Sequence, residues 1–196
     1  MLISYCTTCF NRLWQLRQTL PHNLAFTKVG EVELSVLAYN DNSVEEYLKA
    51  NYGEYIADGR LKVKTMHDPI PFTCGRVKNF SHAMGTGDIL FNLDADNYIA
   101  NAHDLVLQLK PNQILKNIIH DTVSVSGRIA IHRHIFHGIG GYRDVGRNDD
   151  GDFVYRCLKV GIKLVPMRCD ILPISNERED DIHFDIEIKT MGYLQK

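Results

Sequence analysis

Segments of strand length alternate with segments of helix length through the first half of the chain. Apolar runs of strand length occupy 2–8, 31–41, 60–67 and 88–93, and the stretches between them carry apolar residues at helical spacing. Such alternation is typical of a parallel sheet whose strands are connected by helices packed on both faces. We therefore predict an α/β fold with a mostly parallel central sheet flanked by helices.

Local signals predict where the helices begin and end. Asn11 has the side chain of an N-cap for the first helix, and Pro21 is expected to end or kink that helix. Ser43 and Glu46 have the spacing of a capping box, which predicts the start of the second helix. Ligands of parallel sheets bind beyond the carboxyl ends of the strands, so polar residues at those ends are the first candidates for a site.

The second half of the chain is less regular. We predict one or two strands and a short helix over 120–136, a glycine-rich acidic loop over 137–152, a helix over 153–161 and a strand over 162–172. No repeat, low-complexity segment or linker divides the sequence, and 196 residues is an ordinary length for one domain. We expect a single domain.

Composition excludes several classes of function. The formal net charge is −2, whereas binding of nucleic acid needs a concentrated excess of Lys and Arg, so no nucleic-acid partner is expected. The N-terminal residues have neither the basic start of a signal peptide nor a transmembrane segment, which leaves a peripheral membrane contact open. Five cysteines without a secretion signal predict reduced thiols and a cytoplasmic location.

Two carboxylates follow directly after a buried strand in the stretch DILFNLDADNYI, residues 88–99. Asp94 and Asp96 repel each other, and burying either one without a partner is unfavourable. Two hard oxygen ligands suit Mg²⁺ or Mn²⁺ and leave positions open for water and for substrate phosphates. The triplet alone is weak, because Asp-x-Asp occurs by chance in loops. It nevertheless makes Asp94 and Asp96 candidate metal ligands.

Four segments of the chain, in order, resemble the motifs of one enzyme family. They are YCTTCFNR, LAYNDNS, GRVKNFSHAMGTGDILFNLDADN and IGGYRDVGRNDDGDFVYRCLKVG. The chain from 2 to 165 resembles glycosyltransferases with the A-type nucleotide-sugar fold (GT-A), such as the family-2-like enzymes and the catalytic domains of galactosyl- and N-acetylgalactosaminyltransferases. The resemblance implies a metal-dependent transferase that moves a sugar from a nucleoside-diphosphate donor, most commonly a uridine one in this family, to a carbohydrate or glycoconjugate hydroxyl.

The resemblance also implies roles for residues on the donor side, which would form a nucleotide-binding half at 1–99 of a single catalytic domain. Thr8 and Asp41 would hold the nucleoside, with Asp41 accepting a hydrogen bond from the base or the ribose. Asn79 stands at the asparagine of the family's helix motif. Asp94 would contact the ribose or the metal, and Asp96 would be the main metal carboxylate.

The acceptor and catalytic half would span 100–196, so that the catalytic domain covers 1–196. Asp149 and Asp150 stand where the family has Glu-Asp. Asp150 matches the base of inverting members, which takes the proton of the acceptor hydroxyl, and Asp149 matches an acid that often contacts the acceptor. Several members add a late histidine to the metal, which implies His183 as a third ligand, and imidazole is an ordinary ligand of Mn²⁺.

Other candidate groups have simpler explanations. Cys6 and Cys9 form a CxxC pair, but the second pair that a zinc site needs is missing, and buried small residues explain them. His134 and His137 have a zinc-compatible helical spacing, but their segment resembles a packed or solvated helix of the family. Lys78 could reach a phosphate, although a solvated helix face is the expectation.

Departures from the family motifs leave several questions open. NDD replaces Gly-Glu-Asp and AYND replaces Val-Asp-Asp, so the motifs do not identify the nucleotide base, the donor sugar or the acceptor. The sequence does not predict the oligomeric state either. A nucleotidyltransferase is one alternative, but it usually has a glycine-containing phosphate loop after the first strand, and CTTCFNR has no glycine. A non-catalytic carbohydrate-binding protein is another, against which Asp94, Asp96 and Asp150 argue.

Overall fold

The computed structural model describes residues 1–118, 127–171 and 173–174. Along these ranges the elements are β1 (Ile3–Cys9), α1 (Leu13–Leu24), β2 (Val32–Tyr39), α2 (Asn42–Asn51), α3 (Gly53–Ala57), β3 (Leu61–Met66), α4 (Cys74–Met84), β4 (Ile89–Leu93), α5 (Ala102–Val106), β5 (Gln113–Asn117), β6 (Arg128–His132), α6 (Arg133–Ile139), a 3₁₀ turn (Gly146–Asn148), α7 (Asp149–Lys159) and β7 (Lys163–Met167). No helix in these ranges is long and apolar enough to span a bilayer.

The seven strands form one sheet in the order β3-β2-β1-β4-β6-β5-β7. β1 is parallel to β2 and β4, β2 is parallel to β3, and β5 is parallel to β7. Among the described strands β6 alone is antiparallel to its neighbours, β4 and β5. The predicted mostly parallel sheet with flanking helices is confirmed, and the β4–β6 pairing joins strands from the two halves of the sequence.

The central strands are apolar because helices cover both faces of the sheet. All eight residues of β2 and all five of β4 are buried. Leu16 and Leu20 of α1 pack on one face together with α2 and α5, while Phe136 of α6 and Phe153 of α7 cover the other. A strand buried on both sides has no polar face, which explains the continuous apolar runs of the sequence.

The first helix differs from the sequence prediction at both ends. Arg12 is its N-cap and makes no capping hydrogen bond through its side chain, whereas Asn11 precedes it at a φ of 52°, a left-handed conformation that Asn tolerates. Pro21 lies inside α1, so of the two predicted effects, ending or kinking the helix, the first is wrong. Leu20 and Leu24 are buried on either side of this proline, and their packing keeps the helix intact.

The second helix is capped by Asp41 rather than by Ser43. The Asp41 carboxylate accepts hydrogen bonds from the Ser43 backbone N–H at 3.0 Å and from the Ser43 hydroxyl at 2.6 Å. Ser43 therefore lies inside α2, and the predicted capping box is wrong. The helical segment then breaks at Tyr52 into α2 and α3.

In the second half, β6, α6 and β7 confirm the predicted strand, short helix and final strand. α7 begins at Asp149, inside the segment predicted as a loop. α5 and β5 have no counterpart in the prediction, because Lys116 and Asn117 interrupt the apolar pattern of β5 even though both are buried. The part of the predicted strands at 120–126 lies outside the described residues.

Candidate active site

A cleft of about 290 Å³ opens at the carboxyl edge of the sheet, where β1 and β4 end. The cleft is lined by the end of β1 and the following turn, by the start of α4 with the segment before it, and by the loop after β4. These parts contribute, in order, Thr8, Phe10 and Arg12; Phe72, Cys74 and Lys78; and Asp94 and Asp96. The sheet thus brings three of the sequence-predicted site residues, Thr8, Asp94 and Asp96, to one cleft.

The acidic loop that follows β4 is fastened to α1 by polar side chains. A backbone hydrogen bond of 2.9 Å from Asn97 N–H to the Asp94 carbonyl closes a turn that contains both carboxylates. The Thr19 hydroxyl donates to the Ala95 carbonyl at 2.7 Å, and the Asn23 amide donates to the Asn97 carbonyl at 2.9 Å. These buried side chains hold the backbone of the loop in place, and they therefore fix the positions from which the Asp94 and Asp96 side chains extend.

The two carboxylates of this loop lie in surroundings that favour a cation. Burial raises the pKa of Asp96 to about 6, and the negative charge of Asp94 adds to this effect. Asp94 accepts a hydrogen bond of 3.1 Å from Asn92, and Gly127 packs so closely on its carboxylate that a Cβ there would clash. A divalent ion would offset the repulsion between the acids, so the donor set fits Mg²⁺ or Mn²⁺.

A third protein ligand for such an ion is not found in the part of the chain that the structure describes. No group of three or more His, Cys, Asp or Glu side chains suited to a metal occurs there. His183 lies outside the described residues. The backbone N–H of Ile174 donates to the Asp96 carbonyl at 2.8 Å, which brings the chain to the acidic loop nine residues before His183.

Asp149 and Asp150 lie in the first turn of α7 and point to a lysine of α4. They are 3% and 2% exposed, and Lys78 Nζ lies 2.8 Å from Asp149 Oδ2 and 2.7 Å from Asp150 Oδ1. Lys78 is therefore buried and ion-paired, so the expectation of a solvated helix face is wrong. Because Lys78 also lines the cleft, it connects the carboxylate pair of α7 to the acidic loop.

The electrostatics of this cluster keep the lysine charged and weaken the ionisation of one acid. Burial opposes the charge of Lys78, but the negative charges of Asp94, Asp150 and Asp149 outweigh it and raise the pKa of the ammonium. Burial raises the pKa of Asp150 to about 6, with Lys78 opposing the rise and the charges of Asp94 and Asp149 adding to it.

The remaining predicted donor residues occupy different positions around the cleft. Thr8 Oγ1 is buried in the cleft wall without a hydrogen-bond partner among the described residues. Asp41 follows β2 and uses Oδ1 to cap α2. Asn79 does not line the cleft. Its side chain donates to the Tyr142 carbonyl at 2.9 Å and accepts from the Tyr142 N–H at 2.8 Å, which ties α4 to the glycine-rich loop.

Two further buried cations near the site were not predicted from the sequence. Lys116 of β5 is 1% exposed, and its Nζ has no hydrogen-bond partner among the described residues, although the charges of Asp150 and Asp149 act on it. Arg128 of β6 is also 1% exposed and donates to the Ile171 carbonyl at 3.0 Å. Lys116 lies within an apolar strand and Arg128 is the first residue of one, and a basic residue in such a position is the signal that could have identified them.

Comparison with known proteins identifies the fold. No family model and no curated protein sequence matches the chain. The mannosyltransferase PcManGT from Pyrobaculum calidifontis, in complex with GDP-Man and Mn²⁺, matches with a TM-score of 0.71 at 14% identity, over 93% of this chain and 59% of that chain.

Two other solved structures match in the same way. Glucosyl-3-phosphoglycerate synthase from Mycobacterium tuberculosis, with Mn²⁺ and UDP-glucose, gives a TM-score of 0.63 at 13% identity, over 93% of this chain and 74% of that one. GalNAc-T7 with UDP, GalNAc and Mn²⁺ gives 0.62 at 14% identity, over 85% and 42%. The chain thus has the GT-A nucleotide-sugar transferase fold and spans 59% of the mannosyltransferase.

Proposed function

We propose that this chain is a metal-dependent glycosyltransferase that transfers a sugar from a nucleoside-diphosphate donor, with uridine as the first candidate, to an acceptor hydroxyl. The observation that carries the proposal is the pair Asp94 and Asp96 in a cleft at the carboxyl edge of a GT-A fold. The three matching structures described above contain GDP-Man, UDP-glucose or UDP, and each of them also contains Mn²⁺.

The nucleoside is proposed to bind between the ends of β1 and β2. Thr8 Oγ1 is a buried hydroxyl whose hydrogen bond is free for the donor. The rings of Phe10 and Phe72 stack with their centroids 4.6 Å apart, and both line the cleft. An aromatic ring can stack on the face of any nucleotide base. Asp41 would contact the base or the ribose.

The metal ion is proposed to bind Asp94 and Asp96, with His183 as a third ligand. The chain between Ile174, which contacts Asp96, and His183 is long enough for the imidazole to reach the ion. When bound, Mn²⁺ or Mg²⁺ neutralises charge on the departing diphosphate.

The transfer step is proposed to use Asp150 as the base. The acceptor oxygen forms a bond to the anomeric carbon, the bond from that carbon to the diphosphate oxygen breaks, and Asp150 takes the hydroxyl proton. Attack from the side opposite the leaving group inverts the anomeric configuration. Asp149 would contact the acceptor. Asn79 would support this region through its hydrogen bonds to the Tyr142 backbone. A contact between Asn79 and the donor is a separate prediction.

The biological setting is part of the same proposal. Residues 1–196 would act as one catalytic domain, with the donor bound mainly by 1–99 and the base supplied by 100–196. The acceptor is a carbohydrate or glycoconjugate. All five cysteines are present as thiols rather than as disulfides, which fits a reducing compartment such as the cytoplasm.

A thermal-shift screen tests the function. The protein is heated with UDP, GDP, ADP, CDP and their sugars, with Mn²⁺ and with EDTA, and each nucleoside without phosphate serves as control. We expect one nucleoside diphosphate to raise Tm with Mn²⁺, because a ligand that binds only the folded state stabilises it. The sugar donor that binds should then release nucleoside diphosphate when incubated with the protein.

Two other results would replace the proposal. Pyrophosphate release from a nucleoside triphosphate and a sugar phosphate would identify a nucleotidyltransferase. A protein that no nucleotide stabilises, but that binds oligosaccharides, would be a non-catalytic member of the fold.

A further inference from the structure

Lys78 lies between two sets of carboxylates. Its ammonium contacts Asp149 Oδ2 at 2.8 Å and Asp150 Oδ1 at 2.7 Å, and its side chain lines the cleft that also contains Asp94 and Asp96. The lysine is 8% exposed, so most of its surface is covered by protein and the remainder faces the cleft. One cation thus reaches both the proposed base and the proposed donor site.

The cleft has little positive charge with which to bind a diphosphate. Of the described side chains that line it, Arg12 and Lys78 are basic, whereas Asp94 and Asp96 are acidic. A lysine ammonium has three rotatable donors on a flexible four-carbon stem, which allows it to change acceptors without movement of the backbone. A phosphate oxygen near Asp94 would compete with the two carboxylates of α7 for this ammonium.

In the present arrangement Asp150 is not available as a base. Its Oδ1 accepts the hydrogen bond of Lys78, and the residue is 2% exposed. The ammonium occupies a lone pair of the Asp150 carboxylate, and its positive charge opposes the rise in pKa that burial causes. The acceptor hydroxyl therefore needs the lysine to leave before Asp150 can accept its proton.

We propose that Lys78 binds the diphosphate of the donor and, by moving to a phosphate oxygen, releases Asp150 for the acceptor hydroxyl. No covalent bond changes in this exchange: one ion pair breaks and another forms. Lys116 is also buried, and its ammonium has no hydrogen-bond partner among the described residues. Because this ammonium interacts with Asp149 and Asp150 through its charge, it offsets part of their negative charge after Lys78 leaves. Donor binding thus precedes productive acceptor binding. This inference rests on the proposed function.

Calorimetric titration separates this role from a purely structural ion pair. Wild type, Lys78→Met and Lys78→Arg are titrated in EDTA with the nucleoside diphosphate found in the screen and with the matching nucleoside. We expect Lys78→Met to weaken the diphosphate by about tenfold, to leave the nucleoside within about twofold, and Lys78→Arg to recover most of the loss. Lys159→Met, at the far end of α7 and exposed, is the matched control and should change neither ligand.

A second variant keeps the test decisive if Lys78→Met does not fold. Asp150→Asn leaves Lys78 in place but removes a charge that competes for it, so the diphosphate should bind about threefold more tightly. Unchanged diphosphate affinity in Lys78→Met, or weaker binding in Asp150→Asn, overturns the inference. A wild-type protein that binds no nucleotide contradicts the proposed function itself, which is a different outcome from equal binding by wild type and variant.

Discussion

At the scale of single residues, the protein places several ionisable side chains in its interior beside the cleft. Lys78, Asp149 and Asp150 form one ion-paired group, and Lys116 lies within range of their charges. Replacing such a group by apolar residues is often neutral or stabilising, so the ion pairs are poor candidates for a purely structural purpose. Their position beside the proposed donor site agrees with a role in binding and proton transfer.

His82 offers a pH test of the packing beneath this group. The imidazole stacks on Phe136 at 4.7 Å, and its Nδ1 lies 2.7 Å from the Lys78 carbonyl. Burial lowers the pKa of His82 to about 3 from 6.5. The unfolded chain therefore binds a proton that the folded protein excludes, so this contribution to stability is complete above about pH 6.5 and is lost as the pH falls towards 3.

Replacing His82 by Gln should remove this pH dependence. Between about pH 7.5 and about pH 5.5, the free energy of unfolding of His82→Gln should fall by about 1.4 kcal/mol less than that of the wild type, measured by urea denaturation. Comparing the two proteins cancels the titration of the other acids. Equal pH profiles would show that folding does not lower the pKa of His82, and would contradict this prediction.

The residues of the site differ in how far the sequence predicts them. Asp94 and Asp96 follow an apolar strand, and the pattern alone places them at the cleft. The role of Lys78 cannot be predicted from the sequence. Its neighbours Arg76 and Asn79 are polar, and this pattern predicts a solvent-exposed helix face. Its burial depends on α7, whose acids lie about seventy positions later in the chain, and no local signal carries such a contact.

At the scale of elements, α1 acts as a support for the acidic loop. Thr19 and Asn23 lie one turn apart on its buried side and bind the carbonyls of Ala95 and Asn97. Because these bonds hold the backbone rather than the carboxylates, they set the spacing of Asp94 and Asp96 without occupying their oxygens. The element that supplies core leucines on one stripe therefore also shapes the proposed metal site.

Removing the Thr19 hydroxyl should affect both stability and metal binding. Thr19→Val leaves the buried Ala95 carbonyl without its 2.7 Å partner, which should cost about 1–3 kcal/mol in urea unfolding. The loosened loop should also weaken Mn²⁺ binding about tenfold, measured by calorimetry in the folded range.

Thr27→Val is the matched control for this variant. Thr27 makes a comparable hydrogen bond of 2.6 Å to the Leu24 carbonyl, but at the end of α1 and away from the acidic loop. It should lower stability while leaving Mn²⁺ affinity unchanged. Equal losses of Mn²⁺ affinity in both variants would mean that α1 has no specific role in the site.

The elements were predicted where their apolar pattern is uninterrupted. β1, β2 and β4 are buried on both faces, and their sequences are nearly continuous apolar runs, so their positions follow from the chain alone. β5 contains the buried Lys116 and Asn117, and this polarity hides a strand that only its neighbours β6 and β7 define. The start of α7 is not predicted for a similar reason, because acidic residues such as Asp149 and Asp150 in a glycine-rich segment are typical of a loop.

At the scale of the whole molecule, one sheet joins the proposed donor half to the proposed acceptor half. β4 pairs with β1 on one side and with β6 on the other, so Ile89 has neighbours in both halves. Disrupting β4 would therefore expose buried residues of both halves to solvent. We therefore predict a single cooperative unfolding transition for the chain.

Scanning calorimetry tests this prediction. One transition whose calorimetric and van't Hoff enthalpies agree would fit a single domain over 1–196. Two resolved transitions would separate the nucleotide-binding half from the rest and would contradict the proposed domain organisation.

The central claim is that Asp94 and Asp96 hold a divalent ion that binds the diphosphate of the donor. The most direct measurement is the affinity of the nucleoside diphosphate, by calorimetry, with Mn²⁺ and with EDTA, in wild type, in Asp96→Asn and in the exposed control Asp104→Asn. The account predicts that Mn²⁺ tightens binding at least about tenfold in wild type and in the control, and that Asp96→Asn loses this gain. Equal affinity with Mn²⁺ and EDTA in wild type, or a full gain in Asp96→Asn, would contradict it.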